Sequence, residues 1–159
     1  MIIKSYEVKN NLENFLKYSL FLLYGENVGL KKDIRNLIKQ KLKQKKSSLD
    51  FLVLHENEIF DNEQNFYNLI YSGSLFDSGK IINILEASDK ILKKVNAIYE
   101  KIPENTSLII FSGILEKKSK LRNFFETSNK TICIPCYLDN EKDLKIIAQS
   151  ELKKNNIVL

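Results

Sequence analysis

The chain has 159 residues, 43% of them apolar and 28% charged, and carries a net charge of +5. This balance excludes a disordered chain and leaves room for one domain with an ordinary core, or one domain and the start of another. No apolar run approaches the roughly 20 residues of a membrane helix, Met1-Ile2-Ile3-Lys4 does not open a signal peptide, and two cysteines without an export signal point to a reducing cytoplasm.

In chain order, short β-rich apolar runs alternate with helical patterns. Residues 20–24 read as a strand, apolar throughout as in a strand covered on both faces. Leu30, Ile34, Leu37, Ile38 and Leu42 then recur at helical spacing, with a basic block on the opposite face. That block, residues 31–46, holds eight Lys/Arg against one Asp, a local +7, and leaves the rest of the chain at −2. It reads either as a solvated helix face or as a surface for nucleic acid or an acidic partner. Residues 51–54 form a second strand candidate, and residues 62–71 a helix presenting Phe66, Leu69 and Ile70. Residues 80–85 form a third strand. After Ser88-Asp89, a helix start, the residues Ile91, Leu92, Val95, Ile98, Tyr99 and Ile102 line one face. Residues 108–111 and 131–134 are the remaining strands, with a shorter helix over 117–125 between them. The alternation predicts an α/β fold, a mostly parallel sheet flanked by helices. Past Pro135, Asp139 caps a final amphipathic helix in which Leu144, Ile147, Ala148 and Leu152 share a face. The apolar, abrupt ending Ile157-Val158-Leu159 suggests a piece of a longer chain.

Four stretches carry candidate chemistry. The turn Tyr24-Gly25-Glu26-Asn27-Val28-Gly29-Leu30-Lys31-Lys32 has the strand–glycine–helix context of a phosphate cradle. The pattern G-x-x-x-x-G-K-[ST] is not met: the glycines are four apart, Leu30 follows the second, no Ser or Thr stands ready for magnesium, and Glu26 repels phosphate. The reading is a nucleotide-binding scaffold whose chemistry is absent. In Ser72-Gly73-Ser74-Leu75-Phe76-Asp77-Ser78-Gly79, small and polar residues surround a lone Leu-Phe pair. Turn residues sit at the surface. Leu75 and Phe76 are therefore either offered to a partner, where burying each is worth roughly 1.5–3 kcal/mol, or folded back onto their own core. Cys133-Ile134-Pro135-Cys136 has redox or zinc spacing, yet it lacks a second ligand pair and a helix start, so two buried thiols are expected. His55 stands alone and receives no catalytic role. Lys117, Lys118, Lys120 and Arg122, after a buried strand, suit phosphate, an adjoining subunit or plain solvent. No catalytic, cofactor-binding or metal-binding residue is assigned.

Taken in order, these segments resemble the delta subunit family of the bacterial DNA polymerase III clamp loader. Leu22-Leu23-Tyr24-Gly25-Glu26 resembles its opening strand and turn, where ATPase relatives carry a P-loop. Ser74-Leu75-Phe76 followed by Lys80-Ile81-Ile82-Asn83-Ile84-Leu85 is similar to its most recognisable segment. The stretch from Leu115 to Glu126 resembles its later basic motif, and Ile134-Pro135-Cys136-Tyr137 its crossing into a helical lid. The resemblance implies an AAA+/RecA-like α/β domain over residues 1–138 without a functional P-loop, and the first helix of a truncated lid domain over 139–159. It implies no bound cofactor and no intrinsic catalysis, within a DNA polymerase holoenzyme. It also implies that Leu75 and Phe76, with Ser74, insert into the apolar groove of the sliding clamp (the beta subunit) and help to open it. Other expected partners are the ATPase and delta-prime subunits and, in the assembled complex, DNA, with no membrane. Lys117, Lys118, Lys120 and Arg122 are candidate subunit or DNA contacts. Two other readings stand beside this one: an ATP-binding P-loop-type ATPase subunit, and a basic nucleic-acid-binding adaptor.

Overall fold

The computed structural model describes residues 1–73, 78–138 and 141–156. The elements run α1 (Ser5–Phe15), β1 (Leu20–Tyr24), α2 (Val28–Lys45), β2 (Ser48–His55), α3 (Glu56–Asp61), α4 (Glu63–Tyr71), β3 (Ser78–Ala87), a 3-10 turn over Asp89–Ile91, α5 (Leu92–Ile98), β4 (Thr106–Ser112), α6 (Lys120–Thr127), β5 (Thr131–Pro135) and α7 (Glu141–Lys154). The strands form one sheet in the order β2-β3-β4-β1-β5, parallel at every pairing. The expected α/β fold therefore forms.

Alternate side chains of the strands go to opposite faces. Phe21, Leu23, Ile109, Phe111, Ile132 and Ile134 pack with Val8 and Leu12 of α1 and Ile34 and Ile38 of α2. Leu20, Leu22, Ile82, Ile84, Leu108 and Ile110 pack with Phe66 and Ile70 of α4, Val95 and Ile98 of α5, and Leu121 and Phe125 of α6. Both faces are covered, which is why the inner strands read as unbroken apolar runs. Strand β2 lies at the sheet edge, is half-exposed, and extends beyond the expected 51–54 on both sides.

Other differences have local causes. Helix α1 and the short α3 were not expected. Helix α6 starts at Lys120 rather than 117, because the Ser119 hydroxyl accepts from Arg122 N at 3.2 Å and fixes the N-cap there. The basic block of α2 is not simply a solvated face. Lys31, Arg35 and Lys39, four residues apart, form a row over the sheet. Arg35 Cζ lies 5.6 Å from the Phe111 ring centre and 5.5 Å from that of Phe51, and Lys39 Nζ lies 4.1 Å from Phe51. Arg35 Nη1 also donates to Asn83 Oδ1 at 3.1 Å, while Asn83 Nδ2 donates to the Ile109 carbonyl at 2.9 Å. These bonds allow a fully buried amide in the middle of β3. Lys41 and Lys45 face Glu13 of α1. Asp139, expected to cap the last helix, lies outside the described residues, as do Ser74, Leu75 and Phe76; α7 occupies the stretch where that helix was expected. Ala148 is exposed there and Leu152 half-buried. Among the described residues no helix is long and apolar enough to cross a membrane.

Because α2 leaves β1 over one face and α6 leaves β4 over the other, the crevice at the C-terminal ends of β1 and β4 is a topological switch point, the usual ligand position in open α/β sheets. Gly73 and Ser78 stand at the opposite edge, where β3 begins. Ile110 sits at the centre of the sheet, fully buried. Ile110→Ala is expected to lower unfolding stability by about 2–5 kcal/mol, read as an earlier urea midpoint at unchanged m-value.

Candidate functional site

At the switch point, the turn between β1 and α2 is closed by the protein itself. Gly25 has φ +120°, and a Cβ at that position would run into the Cys136 carbonyl. Gly25 N donates to Gly113 O at 2.9 Å, Asn27 N to Cys136 O at 3.0 Å, and Val28 N to Glu26 O at 3.0 Å. Leu30 N donates to Asn27 Oδ1 at 3.1 Å and Lys31 N to Asn27 O at 3.2 Å. These amides point at partners within the chain rather than at an open cradle. Gly29 falls inside the first turn of α2, so the two glycines do not frame a loop.

Lys31 completes the closure. It is only 6% exposed, and its Nζ donates to Gly25 O and Ser112 O, both at 2.8 Å. The ammonium bridges the ends of β1 and β4. Burial lowers its pKa, and the nearby Glu26 carboxylate opposes that shift. A charge in this position is tolerable because two carbonyls and a carboxylate answer it. The side-chain hydroxyl of Ser112 has no hydrogen-bond partner among the described residues.

The segment after β4 lies at the same edge. Asp89 organises it: Ser119 Oγ donates to Asp89 Oδ1 at 2.5 Å, Leu121 N to Oδ1 and Lys120 N to Oδ2, both at 3.2 Å. The helix expected after Ser88-Asp89 starts there, with Ser88 as its N-cap, and the Asp89 carboxylate also caps α6; these bonds, the Ser119 one foremost, hold its pKa below the usual range. Lys117 and Lys118 precede the helix, and the Lys118 side chain is 87% exposed, 3.2 Å from Glu116. Arg122 differs from them. Its Nε donates to Glu126 Oε1 at 2.7 Å and its Nη1 to Leu115 O at 2.9 Å, with Cζ 5.1 Å from the Tyr24 ring centre. Its guanidinium is engaged within the domain.

At the opposite edge, Lys80 ties the start of β3 to the end of α4. Its Nζ donates to Leu69 O at 2.6 Å, Ser72 O at 2.8 Å and Ser72 Oγ at 2.7 Å. A cation here caps the helix C-terminus. The end of α4 at Ser72, before the 74–77 stretch, is therefore stapled to β3 after it, by a bond not legible in the sequence, where Lys80 reads as an ordinary strand residue.

The remaining candidates are quiet. Cys133 and Cys136 are buried and unbridged, and burial pushes both thiols up to about 12. His55 ends β2; its N–H donates to Glu58 Oε2 at 2.6 Å, and its exposed Nδ1 lies 3.6 Å from Glu86 Oε2. Among the described residues no group of three or more His, Cys, Asp or Glu is placed to hold a metal.

The family model for the DNA polymerase III delta subunit matches residues 21–137, from β1 to the stretch that leaves β5. The chain belongs to the DNA polymerase III delta subunit family. No curated protein sequence matches it. Among solved structures it is similar to the Bacillus subtilis DNA clamp loader delta protein (YqeN), at TM-score 0.68 and 12% identity, over 95% of this chain and 48% of that one. At that identity the likeness shows the fold, and the chain spans about half the length of that delta protein.

At pH 8 a thiol with pKa near 12 is ionised in about one molecule in ten thousand. Neither cysteine is expected to react with iodoacetamide until urea unfolds the chain; prompt labelling of the folded chain would contradict the burial described.

Proposed function

We propose that this chain is the clamp-binding portion of a clamp-loader delta subunit, in which Leu75 and Phe76, with Ser74 beside them, enter the apolar groove of the sliding clamp and favour its open ring. The observation that carries this proposal is the family match running through residues 74–76, in a chain whose neighbouring elements are stapled by Lys80. A short stretch anchored at both flanks gives up less conformational entropy on docking than a free one. Burying Leu75 and Phe76 contributes roughly 1.5–3 kcal/mol each.

The mechanism is conformational. A protein that binds the open ring better than the closed one shifts the ring toward opening, by as much as its differential affinity. Full opening of a strongly closed ring requires about 5 kcal/mol or more of such preference. The two anchors supply affinity for the ring in either state, so the preference for the open ring falls to further contacts that only the open ring makes, for which the exposed side of α4, with Gln64, Asn68 and Tyr71, is the candidate surface.

The edge with the filled turn has a different task. Ile114 and Leu138 are 70% and 65% exposed there, next to Lys117, Lys118 and Lys120. We assign this surface to the ATPase and delta-prime subunits, and to DNA in the assembled complex, with Arg122 acting behind it as a support. The occupied amides and the buried Lys31 favour a subunit that binds no ATP and leaves hydrolysis to its neighbours. The nucleic-acid adaptor reading loses Lys31, Arg35 and Lys39 as free contacts, since all three are engaged with the sheet. Residues 139–159 begin the lid that follows the α/β domain of residues 1–138, in a protein that works in the cytoplasm.

Calorimetric titration of a purified sliding clamp tests the site. Leu75→Ala and Phe76→Ala are each expected to weaken binding about tenfold or more, and the double variant to remove measurable binding. Equal binding by the double variant and the unchanged chain would remove these residues from the site.

A further inference from the structure

We infer that Glu26 serves as the resident anion of the β1–α2 turn and, with Asn27, clasps the exit segment Cys136–Leu138, so fixing where the polypeptide leaves the α/β body.

The ladder between β1 and β5 ends with Tyr24 opposite Pro135. Cys136 N continues it by one bond, to Tyr24 O at 2.6 Å. Beyond that the chain has left the sheet, yet it remains attached to the turn. Asn27 N donates to Cys136 O at 3.0 Å, Asn27 Nδ2 to Tyr137 O at 3.3 Å, and Leu138 N to Glu26 Oε1 at 3.0 Å. The Tyr137 ring meets Tyr24 edge-on, with centres 5.8 Å apart. Each of the three exit residues is thus held by the turn or by the strand leading into it.

The electrostatics explain why a glutamate does this. A helix N-terminus favours a negative charge, and Lys31 adds a buried positive one beside it. A turn of this shape commonly satisfies that field with a bound anion. Here the Glu26 carboxylate stands at the N-terminus of the 18-residue α2, accepting the amide of Leu138. That bond is the foremost cause holding the Glu26 carboxyl below its ordinary range, with its own amide and the charge of Lys31 contributing. A charged acceptor makes the contact to Leu138 stronger than a neutral one would. The residue that spoils the turn as a phosphate site is therefore the residue that binds the exit segment to it. This inference concerns the joint alone and stands apart from the clamp-binding proposal.

Amide hydrogen exchange on the 159-residue chain tests it, with no ligand added. In Glu26→Ala, exchange at Leu138 is expected to rise about tenfold or more, with β1 and β4 unchanged. Glu26→Gln, which keeps an acceptor oxygen but loses the charge, is expected to fall between the two. Glu13→Ala, removing an exposed acid paired with Lys45, is expected to leave Leu138 as it was. Two outcomes would overturn the inference: Leu138 exchange within twofold of the unchanged chain in Glu26→Ala, or an equal rise across β1 and β4, which would make Glu26 a general stabiliser. The clamp titration has no bearing on either outcome.

Discussion

A buried ammonium ion constrains the rest of this molecule. Lys31 enters the crevice between β1 and β4 from the first turn of α2 and must find partners there, because an unanswered charge away from water costs several kcal/mol. It finds the carbonyls of Gly25 and Ser112, one at the end of each strand. Those two bonds fix the spacing of the strand ends, the entry of α2 and the conformation of Gly25. In a parallel sheet this crevice is where ligands ordinarily sit. Filled from within, it becomes a joint, and the sheet is left to act as a scaffold.

The scaffold separates two surfaces. Strands of seven to ten residues, β4 and β3, place its two edges roughly 20–30 Å apart. The end of α4 and Ser78 belong to the edge where β3 begins, while Ile114, Leu138 and the exposed lysines belong to the other. A rigid parallel sheet with both faces covered transmits a push from one edge to the other without bending much, as a close-packed interior should. This arrangement leaves the two edges as separate surfaces on one rigid body.

How much of this could be read from the sequence depended on the kind of force involved. Strands β1, β3, β4 and β5 announced themselves because burial on both faces leaves little room for polar residues, and order and spacing then gave the fold and the family. Helix α1 stayed hidden: its core contacts are Val8 and Leu12, set among Asn10, Asn11, Asn14 and several charges that carry little helical signal. Edge strand β2 was read too short because its ends alternate with solvent. The deeper failure concerned Lys31. In a run of eight cations nothing marks one as buried, since its burial depends on two carbonyls 6 and 81 residues away. Ser88-Asp89 does start a helix, with Ser88 as its N-cap, but nothing local shows that the Asp89 carboxylate also caps a helix some 30 residues on. The departure from the phosphate-loop pattern was legible from Glu26 and the glycine spacing; the bonds of Lys31, Glu26 and Asn27 that close the turn were not.

The central claim is that the turn after β1 has exchanged a nucleotide for the protein's own groups. Isothermal titration of the folded chain with ATP and magnesium tests it most directly. No saturable heat up to millimolar nucleotide is the expected result, because Lys31 and the amides of Gly25, Asn27, Val28 and Leu30 are already bonded within the chain. Saturable binding in the micromolar range, lost in Lys31→Ala, would contradict it.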